Sequence, residues 1–431
     1  MPVKLFSADN YFMRAGEDRS EKLRFVLLLL FVFSLPYDLF YSNIIFITLA
    51  AISLLDVSFT KLKRIPKQFW LFQSVYFLVI LTYSYSLHKN VAGFLLERQV
   101  AILLFPLLLP IAIQIRREKL HLILLCLAFS SATAILYLFL HMGFTIHYAL
   151  HLPLFKTAFS GAFFNHQFSR PIGIHAGYFS LYTSLSIIYL VTQVNKNDSS
   201  KYKSFLLFCL VTCFAGLFFL ASRNTIISTF IILLLIFPLF QIRRKIRYLV
   251  ISLSFVVLAF LAVKNVPYLK ERFSVELISD IKPLDNGKFI NYSSTEPRIE
   301  RWKCAAELIK ASPVLGYGSG DEVEMLKTKY AEHHLFISYL ESFNAHNQYL
   351  SIWLKNGIIG LLLFLAIFFY YCKLAISKKD FVYFAFLVLL LIGFYTENIL
   401  DANKGIVFFA FFNTMFGYKA LNSAKEVSSE L

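Results

Sequence analysis

Residues 99–141 read QVAILLFPLLLPIAIQI, then RREK, then LHLILLCLAFSSATAILYLFLH. Two continuously apolar runs, 99–115 and 120–141, are thus joined by Arg116-Arg117-Glu118-Lys119. A helix that crosses a bilayer needs about 20 mostly apolar residues. Neither run alternates apolar with polar residues as a barrel strand would, so both predict membrane-spanning helices. Working outward, about twelve such runs appear. They lie near 23–41, 43–59, 68–87, 99–115, 120–141, 171–194, 204–222, 224–242, 248–263, 347–372, 380–397 and 404–420. Composition agrees: of 431 residues 58% are hydrophobic, 17% aromatic and only 16% charged. Such a chain is neither disordered nor a disulfide scaffold. The expected fold is an all-α polytopic membrane protein of about twelve transmembrane helices.

The distribution of positive charge orients the runs. Numbering the connections alternately from the N-terminus, the odd set holds Lys61, Lys63, Arg64 and Lys67, then Arg116, Arg117 and Lys119, then Arg243, Arg244, Lys245 and Arg247. The short even connections hold few: Lys89, Arg98, Lys156, Arg170, Arg223 and Lys404. Cytoplasmic loops carry the excess of Lys and Arg. Both termini are therefore predicted cytoplasmic, which requires an even number of spans. The same placement accounts for the net charge of +16 through topology and anionic lipid headgroups, so nucleic acid is not an expected partner. The first apolar run is too long for a cleaved leader and lacks a small-x-small site, so it is expected to remain as an anchor. Cys126, Cys209, Cys213 and Cys372 fall within runs and Cys304 stands alone in a loop, which predicts neither an outer disulfide nor a zinc site.

One connection is long. Three parts are expected: residues 1–263 with spans 1–9, a loop or cap domain over 264–346 on the outer side, and residues 347–431 with spans 10–12 and a cytoplasmic tail. Loops of this length are usually functional or disordered. Ser293, Ser294 and Thr295 precede Glu296-Pro297, and Ile299, Trp302, Ala305, Ala306 and Ile309 recur at helical spacing up to Ser312-Pro313. This predicts a helix with a proline in its first turn. Gly316-Tyr317-Gly318-Ser319-Gly320 then predicts a tight turn, and a second helical stretch is expected over 321–342.

Ionisable residues in or beside spans are costly in lipid and are functional candidates. Here they gather at one face: His175 in the sixth run, Arg223 in the turn between the seventh and eighth, His346 opening the tenth, Glu397 and Asp401 ending the eleventh, and Arg298 and Arg301 on the loop helix. Lys355 inside the tenth run, followed by Asn356-Gly357, is read as a snorkelling amine or the mark of a kink. Arginine grips phosphate with two parallel hydrogen bonds, and histidine accepts a proton near neutral pH. There is no Asp-x-Asp motif. The set therefore suits arginine-assisted rather than metal-assisted handling of a lipid pyrophosphate, and no metal or other cofactor is expected.

Four elements in order, Arg298-x-x-x-Trp302, Pro313-x-x-Gly316-x-Gly318, His346-Asn347-x-Tyr349 and Gly357-x-x-Gly360, resemble the signature of the O-antigen ligase and polymerase family. The resemblance implies a GT-C-like glycosyltransferase of the bacterial inner membrane. It would move a glycan from undecaprenyl pyrophosphate to an acceptor, lipid A–core, on the periplasmic face. It implies that Arg223 and Arg298 bind the donor pyrophosphate and that His346 is the general base. His175, Arg301, Asn347, Tyr349 and Glu397 are expected around them as supporting or acceptor-binding groups. Alternatives are a polymerase that extends lipid-linked repeats, a protein O-oligosaccharyltransferase, and a transporter of lipid-linked glycan. The last expects charges at the bilayer midplane or paired broken helices, which the sequence does not display.

Overall fold

The computed structural model describes residues 19–194, 200–240, 245–276, 278 and 296–428; Ser293, Ser294 and Thr295 lie outside the described residues. Among these the chain is helical throughout, with no strand. The principal helices are α1 Arg19–Ser34, α2 Leu39–Leu55, α3 Phe69–Tyr83, α4 Lys89–Ala112, α5 Arg117–Phe144, α6 Ala176–Val194, α7 Ser200–Leu220, α8 Arg223–Ile231 and α9 Lys245–Asn265. They continue with α10 Arg298–Ala311, α11 Glu322–Glu332, α12 Phe336–Leu340, α13 Gln348–Ser377, α14 Phe381–Gly393 and α15 Asn403–Ser428.

Each predicted apolar run falls on one of α1–α9 or α13–α15. Five stretches are long and apolar enough by themselves to cross a bilayer: α4, α5 continued to Ala149, α7, α8 continued to Phe240, and α13. The chain is a helical membrane protein. The run over 171–194 is not one straight helix. His166–Ile172 and Ala176–Val194 meet at an 83° bend, so His175 stands in the break rather than one turn inside a helix. Among the shorter elements, α14 has 13 residues and so spans about 20 Å, less than a bilayer core of about 30 Å. The coil after it is buried in protein: Phe394, Ile399 and Leu400 are almost inaccessible. Irregular backbone is tolerated at membrane depth only under such cover or along a cavity.

Two helices are surrounded. α6 packs against α5, α7 and α8, and α15 packs against α4. A helix apolar on all sides belongs inside, and Phe408, Phe409, Phe411, Phe412 and Phe416 of α15 are all buried. Three of the hydroxyls that α6 buries are satisfied within the helix. Ser180, Thr183 and Ser186 donate to the carbonyls of Ala176, Phe179 and Tyr182 at 2.7–2.8 Å. The outer helices show apolar side chains outward, Ile47, Leu140, Leu239 and Phe369 among them, as lipid contact requires. Where α1 begins and α2 ends, buried Arg24 pairs with Asp56, and Glu21 pairs with Lys119 at 2.9 Å. These cations serve the packing of helix ends.

Helices α10, α11 and α12 form the cap. Cys304, Ala305, Leu308, Leu326, Tyr330 and Leu335 make its own small core, which closes on Leu354 of α13. The expected helix over 321–342 is two helices, because Leu335 turns inward to this core while His334 takes φ 55°. Glu296, expected at the start of α10, instead caps α12: its carboxylate accepts the N–H groups of Ile337 and Ser338 at 2.7 and 2.9 Å. The cap is seated on a break in α13. Gly357 has φ 63°, which releases the carbonyls of Leu354 and Lys355 from the helix. Tyr317 and Gly318 donate their N–H groups to those carbonyls at 2.7 and 3.0 Å. A Cβ on Gly357 would lie 1.8 Å from the Val314 carbonyl, and one on Gly316 (φ 70°) 2.5 Å from that of Leu354. Both positions therefore require glycine.

Candidate functional site

Between the cap and the helical body lies a cleft of about 400 Å³. Its walls come from the break before α6, the turn from α7 to α8, the segment Glu271–Val275, the start of α10 and the coil after α14.

The turn from α7 to α8 is tight because Ala221 takes φ 46°. It delivers Arg223 as the first residue of α8, where the helix N-terminus already favours anions. Beside it stands Arg272, whose Nε donates to the Ala221 carbonyl at 3.1 Å and whose guanidinium pairs with Glu276 at 2.6 Å. Arg223 in turn donates to the Arg272 carbonyl at 3.3 Å. Across the cleft, Arg298 opens α10, donates to the Thr396 carbonyl at 3.1 Å and lies 3.6 Å from a Glu397 oxygen. Asn224 ties the two walls together by donating to the Thr396 hydroxyl at 2.7 Å.

Glu397 bridges two cations. One oxygen faces Arg298, and the other lies 3.5 Å from His346 Nδ1. Glu397 thus stands between Arg298 and His346 and orients both. His346 sits at φ 45°, and its N–H donates to the Asn344 side chain at 2.9 Å. At the far side His175 packs on His166, ring centroids 4.0 Å apart. Trp302 and Tyr395 meet edge to face at 5.1 Å on the cleft wall.

The structure thus brings Arg223, Arg298, His175 and Glu397 to one cleft, with His346 joined to it through Glu397. Three expected supporting residues stand behind the wall instead. Arg301 is buried with its guanidinium 5.2 Å from the Phe343 ring centroid. Asn347 caps α13 by accepting the N–H groups of Tyr349 and Leu350. Tyr349 donates to the Leu391 carbonyl at 2.7 Å. Lys355 is neither a snorkelling amine nor a mere kink marker. It is buried in an ion pair with Asp401 at 2.8 Å and Glu322 at 2.9 Å. Arg272 and His166 were missed by sequence reasoning. Arg272 belongs to no motif, and the one available signal for His166 was a second histidine in the polar stretch leading to His175. Among the described residues no group of three or more His, Cys, Asp or Glu side chains is disposed to hold a metal ion.

No curated protein matches the chain. Residues 208–365 match the family described as O-antigen ligase. The matched stretch includes Arg223, Arg272, Arg298 and His346, but not His175 or Glu397, which tertiary packing adds. That family's function is of the O-antigen ligase or polymerase type and implies lipid-linked glycan substrates. Across residues 208–365, and with the arginines of the cleft inside it, this membrane protein carries an O-antigen ligase family domain.

Proposed function

We propose that the protein is a membrane glycosyltransferase that moves a glycan from undecaprenyl pyrophosphate to a hydroxyl of lipid A–core. The observation that carries this reading is the meeting of Arg223, Arg272 and Arg298 in one cleft beside the His346–Glu397 pair. A pyrophosphate is a dense anion, and guanidinium groups meet it with charge-assisted hydrogen bonds. His346 presents Nδ1 to Glu397, which leaves Nε2 to take a proton, the arrangement by which a carboxylate sets the tautomer of a catalytic imidazole.

The acceptor oxygen attacks the anomeric carbon of the glycan. Its C–O bond forms as the bond from that carbon to the pyrophosphate oxygen breaks. The electron pair stays on undecaprenyl pyrophosphate and the hydroxyl proton passes to His346. Single displacement inverts the anomeric centre. The arginines stabilise charge that grows on the leaving group, where preorganised donors contribute most. Since guanidinium groups fill this role, transfer is metal-independent. The arrangement belongs to a GT-C-like body of twelve spans in the bacterial inner membrane, with both termini cytoplasmic and the cap over 264–346 and the active site periplasmic. Residues 1–263 supply spans 1–9, and residues 347–431 supply spans 10–12 and the tail.

The test reconstitutes the full chain with undecaprenyl-pyrophosphate-linked glycan and lipid A–core. The expected product is glycan joined to lipid A–core with released undecaprenyl pyrophosphate, undiminished by EDTA. Longer lipid-linked glycan instead identifies a polymerase. No consumption of the donor with any acceptor refutes the transferase reading.

A further inference from the structure

Lys355 lies within α13, two residues before the break at Gly357. Its ammonium is 2.9 and 2.8 Å from the two Asp401 oxygens and 2.9 Å from Glu322 Oε2. The side chains of Lys355 and Glu322 are 9% and 2% exposed, so neither charge is held by solvent. A buried ion persists only when paired.

The two carboxylates belong to different parts of the fold, one to the cap and one to the coil after α14. Glu322 opens α11 of the cap. It accepts the Ser351 hydroxyl at 2.6 Å and faces the N–H of Ala345, the residue before His346, at 3.5 Å. Asp401 ends the coil that carries Glu397 and accepts the Asn398 amide at 3.0 Å. Gln348 braces the same coil: its N–H donates to the Phe394 carbonyl and its side-chain oxygen accepts the Leu400 N–H, at 2.8 and 2.7 Å. The Lys355 carbonyl, freed by the break, accepts the Gly318 N–H of the cap turn at 3.0 Å. Lys355 therefore ties the segment that presents His346 to the segment that presents Glu397. Without its ammonium, buried Glu322 and partly buried Asp401 would face each other and repel.

We propose that Lys355 is a positioning residue of the transferase: by clamping Glu322 against Asp401 it sets the separation of His346 and Glu397. This rests on the function proposed above. It touches neither pyrophosphate nor acceptor; because Glu397 also faces Arg298, loss of Lys355 lowers the chemical step most and donor affinity to a lesser degree.

The experiment uses the full chain in proteoliposomes, with undecaprenyl-pyrophosphate-linked glycan and lipid A–core as substrates and undecaprenyl pyrophosphate as the binding probe. Lys355→Met is expected to bind the probe at most a few-fold more weakly than wild type, with a correspondingly small rise in KM. Its kcat is expected to fall about a hundred-fold, the scale of an ångström-sized misplacement. Lys355→Arg, which keeps a cation between the carboxylates, recovers most of that rate. Should Lys355→Met fail to fold, Asp401→Asn tests the same clamp with shape preserved and is expected to lower kcat far more than it raises KM. A folded Lys355→Met or Asp401→Asn with wild-type kcat, or one whose loss lies wholly in donor affinity, overturns the proposal and leaves the transferase reading intact. A wild-type protein that neither binds the probe nor transfers glycan overturns both.

Discussion

The Nδ1 atom of His346 stands 3.5 Å from the same Glu397 carboxylate whose other oxygen faces Arg298 at 3.6 Å. One carboxylate thus orients the proposed base and one of the proposed pyrophosphate ligands, although the three residues come from three separate segments. In a transferase, His346→Ala is expected to lower kcat by about 10²–10⁴-fold, the usual contribution of a general base. Affinity for undecaprenyl pyrophosphate should stay near wild type. Glu397→Gln should lower kcat less and also weaken donor binding, because it releases Arg298. Steady-state transfer rates alongside binding of the carrier lipid separate the two outcomes. Wild-type turnover in His346→Ala would remove it from the mechanism.

In the proposed transferase, Arg223, Arg272 and Arg298 would divide the donor's charge between them. A hydrogen bond to a charged group contributes about 1.5–3 kcal/mol. Each single alanine variant is therefore expected to weaken undecaprenyl pyrophosphate binding by about ten-fold or more. Arg272→Ala is the informative member, since no sequence motif marks it. Titration of the lipid in detergent micelles measures the effect, and unchanged affinity in Arg272→Ala would restrict that residue to bracing the turn at Ala221.

The seat of the cap on α13 depends on glycine at two touching positions. Gly357→Ala places a methyl group against the Val314 carbonyl in a left-handed conformation. Strain and overpacking together predict a loss of about 1–3 kcal/mol. Thermal unfolding in detergent should show a lower Tm, and proteolysis should release the cap first. Gly93→Ala serves as the control, because a Cβ there meets nothing within 4 Å.

Asp321 latches the cap to the start of α4. It accepts the Ser86 hydroxyl at 2.6 Å, the N–H groups of Leu87 and His88 at 2.8 and 2.9 Å, and the His88 ring. Burial raises its pKa, but these hydrogen bonds outweigh it and hold the group below its ordinary 3.8. A depressed folded-state pKa means that the stabilisation is complete above the ordinary value and is lost as pH falls through the lower, folded one. Asp321→Asn is accordingly expected to cost about 1–3 kcal/mol at neutral pH, with the difference from wild type shrinking below about pH 4. Parallel unfolding curves across pH check this, and a pH-independent difference would refute the latch.

Much of this protein was legible in its sequence because the information is local. An apolar run long enough to be a helix is a property of contiguous residues, and every expected run lies on a helix. The helix over Arg298–Ala311 ends before Pro313 as its spacing predicts. The motif elements also sort physically: Arg298, Trp302 and His346 bear on the cleft, while Gly316, Gly318 and Gly357 seat the cap. What the sequence could not disclose depends on segments far apart in the chain. Lys355 reads as an awkward charge in an apolar run until Glu322 and Asp401 are brought to it from either side. Arg301 and Tyr349 carry the right chemistry, yet packing turns them to Phe343 and Leu391. Arg272 and His166 carry no motif, and only the folding of two loops over the ends of α7 and α6 makes them walls of the cleft. Hydrophobic length and charge bias are summed along the chain and so can be read from it. The direction of a single guanidinium is settled by contacts that only the tertiary structure supplies.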